Sequence, residues 1–147
     1  MTGASSGIGA ALARHYAGEG GACVGVFARR RGALDALAAE WPAGRVAVYE
    51  GDVRDAPALA RAAADFSERF GVPDVVIANA GISHGTLTEH AADAAAFREI
   101  LDVNVTGMVH TFAPFVPEMR AARRGTLVGI ASVAGFRGLP GASAYSA

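Results

Sequence analysis

Four short apolar runs punctuate the chain: Ala22–Ala28 (ACVGVFA), Arg45–Tyr49 (RVAVY), Asp74–Ala78 (DVVIA) and Thr126–Ala131 (TLVGIA). They are rich in β-branched residues and nearly continuous rather than alternating, as strands buried on both faces of a parallel sheet are. Between them the apolar positions change to helical spacing. In Ala56–Phe70, residues Leu59, Ala63, Phe66 and Phe70 fall three or four apart on one face, and Phe97, Leu101, Met108 and Phe112 do the same further on. Pro114 and Pro117 are placed to kink or end the long helix that starts near Asp93. Strands alternating with helices predict an α/β fold: a Rossmann-type, doubly wound parallel sheet in three α/β/α layers, forming one domain over 1–147.

Composition narrows the classes. The 147 residues carry 52% hydrophobic side chains and a net charge of −1, so no basic field invites nucleic acid. No apolar run approaches the ~20 residues that span a bilayer, and the start has no signal-peptide pattern. A cytoplasmic location is the expectation. The single cysteine, Cys23, forms no internal disulfide and reads as core filling within a strand. His15, His84, His90 and His110 show no metal-ligand spacing, and His84 reads as a solvated loop residue with a cleft-lining role as the alternative. Ser132 lies in ASVAG, not in the Gly-x-Ser-x-Gly elbow of a hydrolase.

The chain opens on MTGASSGIG, where Gly3, Gly7 and Gly9 precede the helical pattern Ala10–Glu19. Such a turn brings backbone N–H groups and a helix N-terminus to a phosphate; a purely structural turn is the competing reading. A doubly wound sheet places its first strand ahead of this turn, and here only Met1 stands there. Roughly 20 residues past the turn, dinucleotide domains put an acid for a ribose hydroxyl or an arginine for a 2′-phosphate. This chain has Ala28-Arg29-Arg30-Arg31 at that distance. Cations are disfavoured at a helix start unless an anion answers them, so NADP(H) is favoured and NAD(H) stays as the alternative. Arg120, Arg123 and Arg124 fall near a helix C-terminus, where the dipole already accounts for them.

Three polar residues interrupt the apolar pattern. Asn104 lies within a helical stripe, where its amide needs partners; a clasp on a neighbouring loop and a catalytic role are both open. Ser132 ends the fourth apolar run, at the sheet edge where open α/β folds bind ligands. Tyr145 follows 13 residues later.

Together, Thr2-Gly3-Ala4-Ser5-Ser6-Gly7-Ile8-Gly9, Asn79-Ala80-Gly81, Asn104, Ser132 and Tyr145 resemble the short-chain dehydrogenase/reductase family along essentially the whole chain. The resemblance implies that Gly3, Ser5, Ser6, Gly7, Ile8, Gly9, Arg29 and Arg30 hold the cofactor and that Asp52 and Val53 meet its adenine. It also implies that Asn79, Ala80 and Gly81 support the sheet beside the ribose, and that Tyr145 contributes to cofactor binding. In the implied hydride transfer between nicotinamide and a carbonyl or alcohol, Tyr145 is the acid or base, Ser132 holds the oxygen and Asn104 anchors a relay water. A phenol titrating near 10 is a poor base at neutral pH unless a cation lowers it, and the family supplies a lysine four residues after the tyrosine. The chain stops at Ala147, so the resemblance predicts a Rossmann domain truncated at both ends, lacking the first strand and the C-terminal part, and inactive or very slow as it stands. It further implies a homodimeric or homotetrameric parent acting on a small molecule. A non-catalytic NADP-binding module or remnant is the alternative; it would need the arginines and glycines but neither Ser132 nor Tyr145.

Overall fold

A computed structural model describes residues 1–147. Ten regular elements follow in the expected alternation: α1 (Gly7–Ala17), β1 (Val24–Ala28), α2 (Arg31–Ala38), β2 (Val46–Glu50), α3 (Ala56–Phe70), β3 (Val75–Ala78), α4 (Ala94–Leu101), α5 (Gly107–Phe112), α6 (Val116–Ala122) and β4 (Thr126–Gly129). A wide, π-type turn over Asp102–Thr106 joins α4 to α5. The strands pair in parallel, β1 with β2 and β3 with β4, in registers that set Val24 beside Val46 and Val75 beside Thr126. Two two-stranded sheets result rather than one continuous sheet. Met1 and Thr2 lie between them: Phe27 N donates to the Met1 carbonyl and Thr2 N donates to that of Ile77, both at 3.0 Å.

Side-chain alternation along β1 explains the layers. Val24, Val26 and Ala28 pack with Ala13 and Ala17 of α1 and Leu34 and Leu37 of α2. The intervening Phe27 joins Leu59 of α3 and Val103 of the π-type turn, and Gly25 lies under Phe66. One strand thus buries both faces, which is why its sequence is continuously apolar. Asp55 caps α3 by accepting from Ala58 N at 3.0 Å, with Pro57 in the first turn where its missing N–H costs nothing. Pro114 ends α5, as the sequence predicts, and α6 resumes at Val116.

β1, β3 and β4 are one or two residues shorter than their apolar runs, and β2 is shifted one residue onward, to Val46–Glu50. Ala22 and Cys23 belong to the approach to β1, and Cys23 is exposed rather than core filling. The strand begins only where Val24 N reaches the Arg45 carbonyl at 2.9 Å. No helix is long and apolar enough to cross a membrane.

Candidate functional site

The glycine turn folds back onto the end of β3. Asn79 Nδ2 donates to the Thr2 and Gly3 carbonyls at 3.1 and 3.3 Å, and Thr2 Oγ1 accepts from the Asn79 and Ala80 amides. Gly9 packs into this knot so closely that a Cβ would stand 2.4 Å from the Gly3 oxygen. Gly7 has the opposite situation: its φ is +55°, a conformation that favours glycine, and a Cβ there would meet only open space. Around Gly7 the backbone of the α1 start is therefore accessible. Ser6 occupies the N-cap without a side-chain cap bond, and the first turn carries no acid. Its amides and the helix dipole are left to attract an anion. Ile8, 62% exposed, projects from the same turn.

The three arginines after β1 divide their work. Arg31 is tied to Asp35 within α2 at 2.9 Å. Arg30 reaches back across the glycine turn, donating to Ser5 Oγ at 3.1 Å and Ser6 Oγ at 2.7 Å. Arg29 is 64% exposed and stands 4.0 Å from Asp52. Asp52 accepts from the Arg54 side chain and backbone, and this guanidinium, with weaker help from Arg29, holds its carboxyl below the usual range. Ser5, Ser6, Arg29, Arg30 and Asp52 are thus brought to one edge. Val53 turns inward against Gly107 and is buried; its carbonyl contacts His110 Nδ1 at 3.0 Å, so little but backbone is left to meet a ligand.

A second cluster forms at the same ends of β3 and β4. Asn104 sits in the π-type turn and grips the Ile82 backbone both ways: Oδ1 accepts from Ile82 N at 2.8 Å and Nδ2 donates to Ile82 O at 2.9 Å. Gly81 lies alongside, where a Cβ would come 3.4 Å from that Oδ1. The clasp on a neighbouring loop is therefore real. One lone pair and one N–H of the amide stay free of it.

Ser132 opens a single helical turn over Val133–Gly135, and its Oγ accepts from Ala134 N at 3.2 Å. Tyr145 is half-buried and shares no hydrogen bond with Ser132 or Asn104. A residue that sequence reasoning missed fixes the tyrosine's segment. Thr86, 1% exposed, accepts from Ala144 N through Oγ1 at 3.0 Å, meets Ser143 Oγ at 3.0 Å, and pairs its backbone with Gly141 and Ser143. It stands in a polar loop (SHGTLTEH) without periodicity, so nothing in the pattern sets it apart. His84, two residues before it, is exposed.

Parallel strands with helices on both faces, and a glycine turn knotted to the sheet's inner edge, define a Rossmann-type nucleotide-binding fold. The chain belongs to the short-chain dehydrogenase family, whose profile matches residues 1–147. It is 43% identical over 151 residues to an uncharacterized oxidoreductase of Myxococcus xanthus, covering all of this chain and 58% of that protein. It is 37% identical over 147 residues to 2-dehydro-3-deoxy-L-rhamnonate dehydrogenase (NAD(+)) of a Sphingomonas strain, with the same coverage of 100% and 58%. Among solved structures, the alcohol dehydrogenase of the archaeon Thermococcus sibiricus complexed with 5-hydroxy-NADP superposes with a TM-score of 0.90 at 30% identity, over 99% of this chain and 62% of that one. The chain thus spans somewhat over half the length of the relatives it matches.

Proposed function

We propose that this chain is the cofactor-binding and catalytic-edge portion of an NADP(H)-dependent oxidoreductase acting on a carbonyl or alcohol. The observation that carries the cofactor preference is Arg30 lying across Ser5 and Ser6, beside the exposed Arg29, with no carboxylate closing β1. An acid there would accept from a ribose 2′-hydroxyl and repel a 2′-phosphate; two guanidiniums and two hydroxyls do the reverse. The cofactor's pyrophosphate in turn fits the open backbone at Gly7 and the uncapped start of α1. The name of the Sphingomonas relative specifies NAD(+), so the arginine pair, not membership of the family, is the reason for favouring NADP(H).

When bound, the nicotinamide supplies or accepts a hydride. Tyr145 gives a proton to the developing alkoxide in reduction and removes one from an alcohol in oxidation. Ser132 holds the substrate oxygen by a hydrogen bond that strengthens as charge builds; its hydroxyl proton is available because Oγ serves Ala134 only as an acceptor. Asn104 keeps Ile82 and the loop after the Asn-Ala-Gly turn in place, and its remaining N–H and lone pair are those a relay water would use. Thr86 is a positioning residue for Tyr145.

Equilibrium titration with NADPH and NADH, followed by nicotinamide fluorescence, tests the reading. NADPH is expected to bind about tenfold or more tightly than NADH, and Arg30→Ala to erase most of that difference. Equal affinities in the unmodified chain would refute the preference.

A further inference from the structure

The segment that leaves β2, Gly51 to Asp55, is tied down on almost every side. Gly51 N donates to the Ala28 carbonyl at 3.1 Å, and Asp55 N donates to that of Asp52 at 2.9 Å. Val53 is wedged against Gly107, and its carbonyl meets His110 Nδ1 at 3.0 Å. The Asp55 side chain is occupied in capping α3. Two polar groups keep some capacity for a ligand. One is Val53 N, which donates to no group of the chain. The other is the Asp52 carboxylate, and there a neighbouring side chain decides how much is left.

Arg54 takes most of it. Oδ1 of Asp52 accepts from Arg54 N at 2.9 Å and from Nε at 3.0 Å, while Oδ2 accepts from one guanidinium arm at 2.7 Å. An ionised carboxylate offers roughly four acceptor positions, so a single one, on Oδ2, stays open. Arg29 stands 4.0 Å from that oxygen, beyond hydrogen-bond reach. The remaining arm of Arg54 lies 3.6 Å from Glu99 of α4, so acids hold the guanidinium on both sides. A two-pronged pair of this kind fixes orientation as well as charge. Because the same guanidinium holds the Asp52 carboxyl below its usual range, the group stays an acceptor only.

We propose that Arg54 is a positioning residue for base selection: by filling Asp52 down to one acceptor, it makes this edge take an amino purine and reject an oxo purine. The inference rests on the reading that a nicotinamide dinucleotide binds here. In such a ligand the carbon bearing the 2′-phosphate adjoins the carbon bearing the base. A phosphate at Arg29 and Arg30 therefore brings the base to Asp52, the next group along the edge. One open acceptor and the free N–H of the adjoining residue complement an exocyclic amine beside a ring nitrogen. Hypoxanthine reverses both, setting a carbonyl oxygen against the carboxylate and an N–H against Val53 N. Without Arg54 the carboxyl is free to turn toward Arg29, and the acceptor no longer has a fixed place.

The probes are NADPH, NADH and the counterparts of each with hypoxanthine in place of adenine, titrated into the intact 147-residue chain by nicotinamide fluorescence. Within each pair the adenine form is expected to bind about tenfold or more tightly. Arg54→Met keeps the apolar stem and should cut that ratio to about threefold or less, by weakening the adenine forms alone. Arg54→Lys keeps the charge without the fork and should not restore it. Equal binding of adenine and hypoxanthine forms by the unmodified chain would overturn the proposal before any variant is made. Full selectivity in Arg54→Lys would overturn it too, as would Arg54→Met weakening all the coenzymes alike, the mark of a merely structural ion pair. A phosphate preference without a base preference strikes this inference and leaves the NADP(H) reading standing. A base preference without a phosphate preference does the opposite, and no binding by any of the coenzymes overturns both.

Discussion

The two ends of the sheet are built differently. Around β1, side chains from α1, α2 and both strands interlock, and Ala4, Val26 and Leu34 are fully buried. The glycine turn is held by Thr2 and Asn79 on one side and by Arg30 on the other. Around β4, Leu127 is 44% exposed, and Val133 and Phe136 in the loop that follows are 69% and 92% exposed. There the segment carrying Tyr145 is tied down chiefly through Thr86. The edge proposed to hold the cofactor is a packed, preformed surface, whereas the edge proposed for catalysis is an arrangement of loops resting on a few hydrogen bonds. Changes at the first edge should act through packing and charge, and changes at the second through local order.

The largest effect is expected from Gly9→Ala. The new methyl would collide with the Gly3 carbonyl and with the Asn79 side-chain amide, which is held by its bonds to the Thr2 and Gly3 carbonyls, costing about 3 kcal/mol of stability and the proposed nucleotide site with it. Urea unfolding measures this; a loss under ~0.5 kcal/mol would show that the knot can open.

At the catalytic edge, Thr86→Val keeps the shape but removes the acceptor for Ala144 N and the partner of Ser143. The expected cost is about 1–3 kcal/mol, felt as faster exchange over 141–146 with little change at the glycine turn. Equal loosening at both edges would erase the distinction between them. The smallest stability effect belongs to Arg30→Ala, within about 0.5 kcal/mol because the side chain is exposed, although its effect on NADPH affinity should be about tenfold.

Much of the fold was legible because β1 buries both faces and so reads as an unbroken apolar run, while α3 keeps its apolar residues three and four apart. The residues proposed to hold the cofactor were legible as a local motif, since Gly3 to Gly9 are contiguous and Arg29 and Arg30 lie one strand further on. Other features arise only from contacts across the chain. Asn104 stands out in the sequence as a polar residue in an apolar stripe, yet its partner Ile82 lies 22 residues away and the π-type turn that aims it has no compositional signature. Thr86 was invisible for the same reason, with partners 57 and 58 residues downstream. Cys23 was misplaced because an apolar run does not mark where hydrogen bonding begins, and the strand starts one residue later.

Amide hydrogen exchange of the unmodified chain with and without saturating NADPH tests the central claim most directly. The account predicts slowed exchange concentrated in 3–10 and 29–31, with smaller changes in 132–146. Protection confined to 132–146, or absent from the glycine turn at saturation, would contradict it.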